Sequence, residues 1–134
     1  MFTHQISLII MNPKITTGIR ILLGVMLVVF GLNKFLGFMP MPEMSEDANA
    51  LMAIYGKSGF MSLIAVLEII FGIALLAGKY VPLALTIITA IMFNAAVFHA
   101  LHDMGGIGGA AVGLILSLVL VYANRDRFDS LLSA

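Results

Sequence analysis

The chain contains no cysteine in 134 residues. Disulfides, thiolate metal ligands, iron–sulfur clusters and thiol–disulfide relays are therefore all excluded. Charge is scarce as well: 10% of the residues are Asp, Glu, Lys or Arg, and seven cationic side chains balance seven anionic ones. With no basic face to neutralise phosphates, nucleic acid is not an expected partner. No internal repeat or low-complexity segment is evident, and Met1 to Met11 has neither a basic leader nor a small-residue cleavage site. That stretch, apolar from Ile6 to Met11, is expected to lie at a membrane interface rather than to be a cleaved signal.

What is abundant is apolar side chain, 61% of the sequence. So apolar a chain of this length reads as an integral membrane protein whose main partner is the lipid bilayer. Four spans of about 20 residues use up the length, which predicts one all-α domain, a four-helix transmembrane bundle over residues 1–134. The spans are expected at about 14–38, 60–78, 82–101 and 107–124. Asn12-Pro13 supplies an N-cap and a first-turn proline for the first, Gly78-Lys79-Tyr80 a tight turn after the second, and Pro82 a restart for the third. Tyr80 and Tyr122 stand where an aromatic belt belongs.

Cytoplasmic ends retain Lys and Arg, and Lys14, Lys79, Arg125 and Arg127 fall on one side of a four-span chain. Both termini are therefore expected in the cytoplasm. The long first loop is then extracytoplasmic; Pro40 and Pro42 break the first helix, and Ser45-Glu46-Asp47 starts a short amphipathic helix to Tyr55 that would lie over the bundle as a lid. In the last span Gly105, Gly109 and Gly113 recur every fourth residue, a spacing that allows close helix approach.

Six polar side chains break the apolar runs: Arg20, Asn33, Lys34, Glu68, Asn94 and His99. A charge at such a position needs a partner, a proton or a wet cavity. Arg20, Gly24, Leu27, Gly31 and Lys34 share one face of the first helix, which must look into the bundle. At about 1.5 Å of rise per residue, Arg20 and Glu68 lie roughly 9 and 15 Å from the same end, within reach of an arginine side chain. An Arg20–Glu68 ion pair is one expectation; a partly free Glu68 that exchanges protons is the other. Asn33, Lys34, Asn94 and His99 are expected at comparable depth, as a ligand-binding pocket beneath the lid, although Asn94 could instead bond a neighbouring helix and Lys34 could reach to the headgroups. His99 and His102 share a helical face with Asp103 nearby, but three such groups make an incomplete metal-ligand set, and His4 belongs at the other side of the membrane. Met39, Met41 and Met44 have a spacing that could hold Cu(I), against the more ordinary use of methionine as apolar filler. No metal is assigned.

The segments Arg20-Ile-Leu-Leu-Gly24, Val29-Phe-Gly-Leu-Asn33-Lys34-Phe35 and Val66-Leu-Glu68-Ile-Ile-Phe-Gly72, followed by Asn94 and His99, resemble the DoxX family of small four-helix membrane proteins. The resemblance runs from about Thr16 to Leu131. It implies a multi-pass protein of the bacterial cytoplasmic membrane in which Arg20, Asn33, Lys34, Glu68, Asn94 and His99 line a central site. The family takes its name from a subunit of a membrane thiosulfate:quinone oxidoreductase, and related proteins are assigned to redox complexes or to membrane-protein assembly. Two functions are carried forward. In one, the protein is a subunit of a membrane redox system that binds quinone or another lipophilic ligand, with Glu68 as the catalytic proton-exchanging group. In the other, it is a non-catalytic assembly factor or anchor that docks a partner protein around Gly105, Gly109 and Gly113. A small carrier or proton-coupled transporter has little support from two short hairpins without inverted broken helices, unless the protein forms a homo-oligomer.

Overall fold

A computed structural model describes residues 1–133. The elements are α1 (Phe2–Ile10), α2 (Pro13–Leu36), α3 (Glu46–Ser58), α4 (Phe60–Ala77), α5 (Val81–His102), α6 (Ile107–Ala123) and α7 (Asp129–Leu132), with single 3-10 turns at Met104–Gly106 and Arg125–Arg127. Four of the helices are long and apolar enough to cross a membrane: α2, α4, α5 and, with the turn before it, α6. The 18 residues of α4 rise about 27 Å, close to the thickness of a hydrocarbon core.

Local chemistry sets the ends of the helices. The Asn12 side chain accepts from the Lys14 N–H at 3.0 Å and Pro13 opens α2. Ser45 accepts from Ala48 N–H at 3.2 Å and starts α3, which runs a turn beyond the expected Tyr55. It stops at Gly59, whose φ of 80° lets the chain turn straight into α4. Gly78, at φ 68°, ends α4 in the same left-handed region, and Tyr80 follows at φ 54° before α5.

The spans form an up-down-up-down ring: α2 packs most extensively on α4 and α5 on α6, while α4 against α5 and α6 against α2 complete it. Leu23, Leu27, Leu75, Leu85, Ile88 and Leu120 are fully buried at its centre. The outward faces carry exposed Ile21, Leu22, Ile70, Ile73, Ile115 and Leu118, the composition that lipid tails require. Lipid is as apolar as leucine, so it is close packing that holds such helices together. The α2–α4 crossing shows this: a Cβ added at Gly24 would stand 3.0 Å from the Gly72 carbonyl oxygen, one at Gly72 3.0 Å from that of Gly24, and one at Gly31 2.8 Å from that of Ala65.

Of the glycine row, Gly105 lies in the turn before α6 and Gly109 and Gly113 in α6, and only Gly113 is buried. Gly113 is buried beneath Met92 of α5 and Gly109 lies under the Phe30 ring of α2, while only Gly105 looks onto open space. The N-terminal segment forms the helix α1, which is mostly exposed. It is held by Thr16 Oγ1 donating to the Ile10 carbonyl at 2.8 Å, and its Ser7 hydroxyl is 3.3 Å from that of Tyr122. Both chain ends therefore sit at one end of the bundle, and α3 at the other.

Candidate functional site

A carboxylate inside an apolar bundle is costly unless a partner is in place. Glu68, 2% exposed, sits midway along α4, and its Oε2 is 2.6 Å from Nζ of Lys34. Two features of α2 bring the lysine there. Gly31 has no side chain, so α4 comes so near that a Cβ at Gly31 would lie 3.3 Å from Glu68 Cβ. Lys34 is one turn further on, in the last turn of α2, where unpaired carbonyls favour a cation. Its stem then reaches back along the crossing to the carboxylate. The Lys34 side chain keeps 24% of its exposure, so this ion pair is open on one side only.

The expected Arg20–Glu68 pair is not formed. Arg20 Nη1 donates instead to the Leu75 carbonyl at the C-terminal end of α4, and lies 3.4 Å from that of Leu76. Because α2 and α4 are antiparallel, Arg20 stands level with the last turn of α4, where carbonyls lack helical partners. Glu68 is seven residues back, roughly 10 Å along the axis, and Lys34 has already reached it.

The other expected site residues fall in separate places. Asn33 Oδ1 accepts the Met39 N–H at 2.7 Å, fastening the segment that leaves α2. Asn94 is exposed on α5 and donates to the Ala90 carbonyl of its own helix at 2.9 Å, so it makes no bond to a neighbouring span. At the α3 end, His99 Nδ1 lies 3.4 Å from Asp103 Oδ2, and the imidazole meets the Phe98 ring edge-on at 5.3 Å between centroids. Lys34–Glu68 joins α2 to α4 while His99–Asp103 lies at the C-terminal end of α5, and among the described residues no hydrogen bond or ion pair links the two. Among the described residues no three His, Asp or Glu side chains are grouped so as to hold a metal ion.

Two contributors escape a residue-by-residue reading. Asp103, 9% exposed and read from the sequence only as part of an incomplete metal-ligand set, has its Oδ2 3.4 Å from His99 Nδ1 without a hydrogen bond, at the four-residue spacing. Ser45, legible as a helix start, also donates from Oγ to the His102 carbonyl at 2.5 Å and so ties α3 to the end of α5. No local pattern announces a contact across 57 residues.

The profile of the DoxX family matches residues 15–101, about two thirds of the sequence. The chain belongs to the DoxX family. Comparison with curated proteins and with solved structures finds no match. The DoxX match takes in α2 from Ile15, α3, α4 and all of α5 but its last residue, hence all six polar residues, and leaves α6 outside. What belongs to the family region is thus the Lys34–Glu68 crossing together with His99.

Proposed function

We propose that this DoxX-family protein binds a quinone or a similar lipophilic carbonyl compound beside Lys34 and Glu68, as a subunit of a membrane redox system. The observation that carries the proposal is the ion pair itself: a carboxylate 2% exposed within a span, joined to an ammonium that keeps partial access to its surroundings. Ionisable groups kept inside a membrane bundle most often serve ligands or protons. Lys34 has three N–H donors and commits one to Glu68, which leaves donors for a ligand carbonyl. Glu68 takes up a proton when Lys34 turns to the ligand, so the site can hold hydrogen bond and proton at one point. A quinone supplies the two-electron chemistry when bound, with electrons delivered by a partner redox protein. On this reading α3, tied to α5 through Ser45, is the lid.

The test is thermal denaturation of purified protein with ubiquinone added, against a saturated hydrocarbon of equal length. Ubiquinone should raise Tm of the wild type and leave that of Lys34→Met/Glu68→Met unchanged, since a ligand that binds only the folded state stabilises it. Equal responses of the two proteins would remove the pair from any ligand site.

The second reading is an anchor or assembly role on the cytoplasmic membrane. It is favoured by the completeness of the ion pair, in which each charge already has its partner. Of its expected docking face, Gly113 is buried beneath Met92, while Gly105 and Gly109 are exposed. A Gly105→Leu protein that folds but no longer co-purifies a membrane partner would support this role.

A further inference from the structure

At the end opposite α3, a cavity of about 330 Å³ opens between Met11, α2, Gly78, the start of α5 and the segment from Ala123 to Arg127. Arg20 and Arg127 line it, with Thr16, Thr17 and Asn124. No carboxylate lines it, and among the described residues none lies within ion-pairing distance of either guanidinium. Arg20 is held in place: its Nη1 serves the α4 carbonyls, and the guanidinium lies 3.0 to 3.4 Å from where a Gly78 Cβ would be. Nε and Nη2 are uncommitted. Val81, the first residue of α5, reaches the same cavity, and no side chain caps that helix, so its unpaired N–H groups add positive potential.

One guanidinium held in place at Arg20, an exposed second one at Arg127, an uncapped 22-residue helix start and hydroxyl and amide groups around one cavity form a receptor for a tetrahedral oxyanion. We infer that this cavity binds a phosphate group, carried by an anionic phospholipid or free in solution. Guanidinium suits phosphate through paired N–H donors, which a lysine does not provide. The site is separate from Lys34–Glu68, which lies towards the α3 end.

Native mass spectrometry of the full chain tests this with phosphatidylglycerol, phosphatidylcholine and inorganic phosphate as probes. Phosphatidylglycerol should be retained by the wild type, and Arg127→Gln should weaken its binding about tenfold, as loss of a charge-assisted contact does. Arg125→Gln removes an equal charge from a residue outside the cavity, stacked on the Tyr122 ring at 4.7 Å, and should leave binding within about twofold, since rim charges contribute little. Competition by millimolar inorganic phosphate would identify the free ion as the ligand; retention of the lipid against it would identify the headgroup. Equal losses in Arg127→Gln and Arg125→Gln, or equal retention of phosphatidylcholine, would overturn the assignment. Thr17→Val supplies a second variant that keeps every charge and should also weaken binding if the cavity itself is the receptor.

Discussion

Replacing Lys34 and Glu68 singly and together gives an unequal set of costs that follows from their burial. Lys34→Met leaves Glu68, 2% exposed, without its one side-chain donor among the described residues. Removing one partner of a buried pair costs about 3 to 5 kcal/mol, and the 24% exposure of Lys34 places this case near 3. Glu68→Met is cheaper, about 1 kcal/mol, because the lysine freed by it can extend its long stem to the bilayer surface. The double variant replaces the pair by two apolar side chains of similar volume and should fall within about 1 kcal/mol of the wild type. The coupling between the sites is then at least about 3 kcal/mol. Equilibrium unfolding in mixed micelles, followed by the helical circular dichroism signal, measures all four proteins. Singles that each cost less than about 0.5 kcal/mol and simply add would show that the pair contributes nothing to the fold, and would refute the argument.

Two other outcomes follow from packing and capping. Gly24→Ala should destabilise the bundle by about 1 to 3 kcal/mol, since its Cβ would meet Gly72 O and Leu76 at about 3 Å, whereas Gly18→Ala, with nothing within 4 Å, should be neutral or slightly stabilising; the same unfolding assay compares them. Ser45→Ala removes both the α3 cap and the bond to His102, and hydrogen exchange over Glu46–Ser58 should quicken by an amount matching about 1 kcal/mol while the spans stay protected.

Most helix ends were legible because their causes are local: Pro13 and Asn12, Ser45 and Gly78 each act within a turn of where they stand, whereas the stop at Gly59 lay beyond the expected Tyr55. The inward face of α2 was legible from the spacing of Gly24, Leu27 and Gly31, all buried. What could not be read was which cation meets Glu68. Depth counted along single helices puts Arg20 nearer to Glu68 than Lys34, whereas the actual pairing depends on how α2 and α4 slide against each other. That register is fixed by the glycine contacts at Gly24–Gly72 and Gly31–Ala65, a property of two helices jointly. Asn94 failed for a related reason: facing inward or outward depends on rotation of α5 about its axis, and an apolar helix surrounded by lipid gives little periodicity from which to tell.

Lys34 and Glu68 both belong to the first hairpin, α2 with α4, and this bears on how the protein is made. An unpaired charge at the centre of a span opposes insertion by about 2.5 to 3.5 kcal/mol. During synthesis the carboxylate follows the ammonium by 34 residues, before any of α5 or α6 has been translated. The hairpin can therefore neutralise itself as it enters the bilayer, with no need to wait for the rest of the chain. The order of elements makes the nascent protein its own counterion supply, and the second hairpin arrives at a partner that is already electrically settled.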